Sequence, residues 1–162
     1  MDLRFEPDDL TRPEVVALLE EHLADMYAVS PPESVHALDL DALRGPDVAF
    51  WSAWEGSTLV GCGALKDHGD GALELKSMRT AASGRGRGVG SAVLGFLLDQ
   101  ARSRRADRIL LETGSEDYFT PARRLYARHG FEVRGPFADY IDDPLSVYME
   151  LVLSADAARV EG

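Results

Sequence analysis

The chain has 162 residues, 45% hydrophobic and 28% charged, which suits one globular domain with a substantial core. Its formal net charge of −11 argues against a general nucleic-acid binder, because phosphate backbones demand a basic footprint. No run approaches the roughly 20 apolar residues that span a bilayer. The acidic start Met1-Asp2-Leu3-Arg4-Phe5-Glu6 lacks the regions of a signal peptide, and the lone Cys62 cannot form an internal disulfide, so the expected compartment is the cytoplasm, with neither membrane nor nucleic acid as partner.

No repeat, low-complexity tract or linker divides the sequence, so residues 1–162 read as a single domain. Leu3 to Phe5 reads as a first strand. Thr11 is the expected cap of a helix with Pro13 in its first turn and an apolar stripe through Val15, Val16, Leu18, Leu19, Leu23 and Met26, ending at Ser30-Pro31-Pro32. A short helix around Leu38 to Arg44 is broken by Gly45-Pro46. Val48 to Trp54 and Thr58 to Leu65 form a hairpin across Glu55-Gly56-Ser57, and Ala72 to Arg79 is the next strand. A helix from about Gly88 to Arg104 buries Val89, Val93, Leu94, Leu97, Leu98 and Ala101. Arg108 to Thr113 reads as a strand buried on both faces, Thr120 to His129 as a helix ending at Gly130, and Phe131 to Arg134 and Ser146 to Leu153 as the last strands. The order implies an α/β (α+β) fold with a mixed sheet, hairpins first and then one β-α-β crossover.

That crossover contains Arg85-Gly86-Arg87-Gly88-Val89-Gly90-Ser91. Alternating glycines strip side chains from a turn where a helix starts, so outward N–H groups at the positive end of the helix dipole can hold a phosphate. The dinucleotide fingerprint G-x-G-x-x-G fails because Ser91 stands where its third glycine should be, and no lysine follows to complete a nucleotide-triphosphate loop. Lys76 to Arg108 carries a net +6 and the remainder −17, which suits a small polyanion at the loop and a cationic or amine-bearing second substrate. Arg102, Arg104 and Arg105 read better as complements to the C-terminal dipole of their helix.

The remaining pattern, R-x-x-G-x-G at Arg85, Gly88 and Gly90, resembles the acetyl-CoA pyrophosphate loop of the GNAT (Gcn5-related) N-acetyltransferases. Ala122-Arg123-Arg124-Leu125-Tyr126-Ala127-Arg128-His129-Gly130-Phe131 resembles that family's A-x-x-L-Y-x-x-x-G-F segment. The element order is also the family's, and the resemblance covers most of the chain. It implies the acyl-CoA N-acyltransferase fold, with a mostly antiparallel sheet of six to seven strands flanked by helices. It also implies transfer of acetyl from acetyl-CoA to a primary amine by direct attack through a tetrahedral intermediate, without a metal. A small-molecule amine is the leading acceptor. A protein or peptide acceptor and a catalytically silent CoA sensor are the alternatives. A homodimer is allowed by the family's habit of pairing through helices or terminal strands.

Carried onto this sequence, Gly86, Arg87, Gly88, Val89, Gly90 and Ser91, with Arg85, would hold the pyrophosphate. Backbone at Met78 and Thr80 would pair with the pantetheine arm, and Tyr126 would donate to the leaving sulfur. Glu74, eleven residues before Arg85, matches the base of the histone-acetylating branch; a structural pairing with Lys76 explains it equally well. Strand alternation sets Glu74, Lys76 and Met78 on one face. Glu112 is a weaker candidate base, read first as an arginine partner. Asp139 and Tyr140, in the loop before the last strand, are candidate acceptor contacts. Phe119 stands where many family members carry an asparagine that contacts pantetheine, leaving Ser115 or backbone to replace it.

Overall fold

Near-continuous burial of the central strands produces a seven-stranded sheet covered on both faces by helices. The computed structural model describes residues 2–153. In chain order these contain β1 (Arg4–Pro7), α1 (Pro13–Val29), α2 (Leu40–Leu43), β2 (Val48–Glu55), β3 (Thr58–Asp67) and β4 (Ala72–Thr80). Then follow α3 (Val89–Ser103), β5 (Arg108–Gly114), α4 (Thr120–Arg128), β6 (Glu132–Arg134) and β7 (Ser146–Val152). The strand order is β1-β2-β3-β4-β5-β7-β6; every pairing is antiparallel except β4–β5, the pair joined by the α3 crossover.

One face packs on α3 and α4. Val89, Val93, Leu94, Leu97, Leu98 and Ala101 form the α3 stripe expected from the sequence, each no more than 4% exposed. The helix lies close to β3 because Gly63 offers no side chain: a Cβ there would come within 2.7 Å of Leu97 Cδ1. The opposite face packs on α1 and α2 through Val15, Leu18, Leu19 and Leu43. Thr11 is not the cap of α1. Its N–H and hydroxyl both bond to Asp9 Oδ1, and the helix opens at Pro13, whose ring already fixes the first helical φ, without a side-chain cap.

Two irregularities shape the centre of the sheet. Ala64 pairs with Lys76 and Cys62 with Arg79, so β4 holds one extra residue at Ser77, whose φ is +51°. The bulge reverses the alternation beyond it. Lys76 and Arg79 share the α1 face with Glu74, whereas Met78 packs with the α3 core, correcting the expectation that Met78 lies beside Glu74 and Lys76. Second, β4 and β5 pair only from Ala72 to Glu74 against Arg108 to Leu110, then diverge.

Candidate active site

The divergence of β4 and β5 opens a cleft of about 530 Å³. Leu75 to Thr80 of β4 form one lip and Leu111 to Gly114 of β5 the other. His22, Asp25 and Met26 of α1 close it on one side of the sheet, and Leu125 and Tyr126 of α4 on the other. Past the point of divergence the two strands have no pairing partner in each other, so their facing backbone groups are free to bind an extended ligand.

The glycine-rich turn lies at the α3 end of this cleft, where Thr80, Arg85 and Gly90 line it. Gly86 and Gly88 have φ of +75° and +82° with open space around each Cα, so conformation, not crowding, demands glycine there. The first bond inside α3 runs from Ala92 N–H to Gly88 O at 3.1 Å, which leaves the N–H groups of Val89, Gly90 and Ser91 without a helical acceptor. The Val89 side chain is core, 1% exposed, so this residue can offer only backbone to a ligand. Arg85 is half held, by Thr80 O at 3.4 Å and Glu21 at 3.4 Å. Arg87 instead forms an ion pair with Glu55 at 2.9 Å. Ser91 Oγ lies 3.3 Å from His129 Nε2, while His129 Nδ1 contacts Leu125 O at 2.9 Å, tying the end of α4 to the start of α3.

Three ionisable groups converge on the divergence point. Tyr126 is 8% exposed, lines the cleft and is pushed up to about 12, by burial first and then by the charge of Glu112. Glu112, also in the lining, is half-buried on β5, and burial raises it to about 7 against the opposing pull of the Ser146 hydroxyl and the Lys76 cation. It is not an arginine partner: Arg108 and Arg134 both go to Glu150. Glu74 is 1% exposed and lies outside the cleft lining, its carboxylate already engaged. His68 Nε2 is 2.8 Å from Oε1, while Lys76 Nζ at 3.0 Å and the Tyr140 hydroxyl at 2.6 Å donate to Oε2. Lys76 Nζ also donates to Tyr140 Oη at 2.8 Å and His36 O at 3.2 Å.

Comparison with known proteins agrees with this arrangement. Residues 15–131 match the model of the Acetyltransferase (GNAT) family. The chain belongs to the GNAT acetyltransferases. It is similar to the N-acetyltransferase YsnE of Bacillus subtilis (strain 168), 54% identical over 142 residues, covering 88% of this chain and 94% of that one. It is 41% identical to a protein named IAA acetyltransferase from Azospirillum brasilense, covering 84% and 88% of the two chains. Among solved structures, a Klebsiella pneumoniae protein described as an acyl-CoA N-acyltransferase superposes with a TM-score of 0.76 at 29% identity, over 94% of this chain and 98% of that one.

Several expectations for this GNAT chain need correction. Asp139 is exposed and Tyr140 donates to Glu74; neither lines the cleft, because the loop before β7 folds over the outer side of the Glu74–Lys76 pair. The +6 stretch is not a cationic cluster around the loop. Arg79 is paired with Glu21 and Asp25, Arg87 with Glu55, Arg102 with Asp99 and Arg108 with Glu150, while Arg104 stacks on Trp51 at 5.4 Å. Phe119 lies against Gly114, where any Cβ would collide with its ring, and Ser115 Oγ donates to Pro144 O at 2.8 Å. The Ser115 proton is thus already engaged within the loop. Cys62 is fully buried and pushed up to about 12 by burial, a core residue and no nucleophile. His22 and the Arg79–Glu21–Asp25 group are not legible in the sequence, because the bulge that turns Arg79 toward α1 has no sequence signature.

Proposed function

We propose that this GNAT protein moves the acetyl group of acetyl-CoA onto the primary amine of a small molecule. The observation that carries the reading is the pair of Glu112 and Tyr126 lining one cleft at the point where β4 and β5 part. The cleft's fit to acetyl-CoA rests on the free N–H groups at the start of α3, the open left-handed glycines and the unpaired strand edges. Acetyl-CoA supplies an activated acetyl thioester; the protein's residues orient the reactants and handle the proton. Glu112, raised to about 7, is ionised over much of the neutral range and accepts a proton from the substrate ammonium. The neutral amine adds to the acetyl carbon to give a tetrahedral intermediate; as that collapses the carbon–sulfur bond breaks, and the proton lost from the nitrogen is taken up by the departing thiolate, giving an amide and the CoA thiol. We favour Glu112 over Glu74 as base because both Glu74 oxygens are already hydrogen-bonded away from the cleft.

Tyr126 stabilises the departing sulfur by hydrogen bonding. With its pKa near 12, complete proton transfer to a thiolate of ordinary pKa about 8.5 would run uphill. The Azospirillum relative named IAA acetyltransferase supports a small acceptor. The test is thiol release from acetyl-CoA over a panel of amino acids, polyamines, aminoglycosides and short peptides, with the acetylated product confirmed by mass spectrometry. Amine-dependent release is expected. Saturable acetyl-CoA binding with no turnover on any amine would leave a CoA sensor instead.

The loop gives its own prediction. Gly88→Ala forces a side chain into φ of +82°, at a cost of about 1 kcal/mol, and weakens CoA binding about fivefold with little change in kcat. Calorimetric titration with CoA checks it. Unchanged affinity would remove the loop from the CoA site.

A further inference from the structure

The bulge at Ser77 turns Lys76 and Arg79 to the same side of β4, so two buried cations, 7% and 8% exposed, flank the α1 side of the cleft. Both cations are balanced by carboxylates, Lys76 by Glu74 and Arg79 by Glu21 and Asp25, so the wall carries no net positive charge and what it offers a ligand is hydrogen-bond donors. Lys76 is saturated by Glu74, Tyr140 and His36 O. Arg79 is not. Glu21 and Asp25 both bond to its Nη2, and its Nε is buried without a partner. Two neighbours in the lining share this condition, since Ser77 Oγ and His22 Nδ1 are also buried without partners. A buried polar group left unmet is destabilising, because it has lost water and gained no partner. Three of them on one wall of a cleft make a receptor for a polar group that the protein itself does not supply.

We propose that this wall receives the carboxylate of the acceptor, which makes the acceptor an amino acid, carrying the reacting amine and a carboxylate in one molecule. The inference rests on the acetyl-transfer reading above and names the substrate class of the same cleft. The Nε–H of Arg79 and the Ser77 hydroxyl donate to the carboxylate oxygens. Burial, with Arg79 nearby, holds His22 down to about 4, so its ring is neutral and contributes a hydrogen bond without charge. The opposite lip carries Glu112, which suits the ammonium end. A zwitterion would thus be oriented with its nitrogen toward the base. An amine lacking the carboxylate would leave these donors unmet, the situation in which polar sites discriminate most strongly.

The test compares matched pairs at saturating acetyl-CoA, each an amino acid against the same amine without its carboxylate, with the two groups separated by one, two or three carbons. A preference of at least tenfold in kcat/KM for the carboxylated member of one pair is expected. Because Arg79 also anchors α1, two variants are used: Arg79→Met, and His22→Phe, which removes a side chain with no hydrogen bond among the described residues. Both should raise KM for the preferred amino acid more than fivefold while the acetyl-CoA KM moves less than twofold. No preference in any pair overturns the assignment. So does a rise confined to the acetyl-CoA KM, which would give the wall to a cofactor phosphate. If no amine is acetylated, the acetyl-transfer reading fails. Calorimetry of the CoA-loaded protein with the N-acetyl amino acids and their decarboxylated counterparts then decides the subsite by itself, with equal affinities overturning it.

Discussion

Glu112→Gln is expected to lower kcat/KM for the acceptor by about 10²–10³-fold, the range of a positioned proton acceptor. It should also remove the limb of the pH profile that rises through about pH 7, since the active form is the carboxylate. Stability should move the other way. The folded pKa of Glu112 lies above its unfolded value of 4.5, so the stabilisation this group provides is present in full below that value and is lost as pH rises through about 7. Above pH 7 the folded wild-type protein holds a buried carboxylate at a cost that glutamine avoids. The variant should therefore melt higher than wild type at pH 8, with the difference shrinking toward pH 5. Rate profiles and thermal melts at the two pH values check both halves. An unchanged acid limb would remove Glu112 as the base. Glu74→Gln, by contrast, should leave that limb in place.

Tyr126→Phe should reduce kcat by about 100-fold, the typical cost of losing one preorganised donor to developing negative charge. CoA affinity should hardly change, because the site described for the cofactor is mostly backbone. The Phe131 contact at 5.8 Å needs only the ring, so the fold should survive the exchange. Pre-steady-state rates with saturating acetyl-CoA, beside calorimetric titration, separate the two effects. A normal turnover would end the assignment of Tyr126 to the sulfur.

These side chains differ in how far the sequence reveals them. The glycine turn is local chemistry: Gly86 and Gly88 adopt the left-handed conformations that the spacing suggests, and the α3 stripe follows from its 3.6-residue period. The place of Tyr126 on a helix is local in the same way, since it stands in one contiguous segment. The two glutamates were not separable, because each lies on an apolar strand. What distinguishes them is long-range. Glu74 meets Tyr140, 66 residues away, whereas Glu112 emerges where β4 and β5 have parted. The position of Asp139 and Tyr140 is hidden from the sequence for a related reason: the path of their loop depends on the packing of Phe137 and Tyr140 against Tyr148, which composition does not encode. The bulge is the feature least visible in the sequence. Nothing about serine announces a φ of +51° at Ser77, yet that one residue moves Met78 to the α3 core and Arg79 to the α1 side of the cleft.

The central claim, that the parting of β4 and β5 is an acetyl-CoA site with its chemistry between Glu112 and Tyr126, is tested most directly by a crystal structure of the protein with CoA. The account predicts the pyrophosphate on the N–H groups from Gly86 to Ser91, the pantetheine arm running along β4 past Thr80 and Met78, and the sulfur within hydrogen-bonding reach of the Tyr126 hydroxyl. A CoA molecule bound with its sulfur outside the cleft, or with its pyrophosphate away from the start of α3, would contradict it.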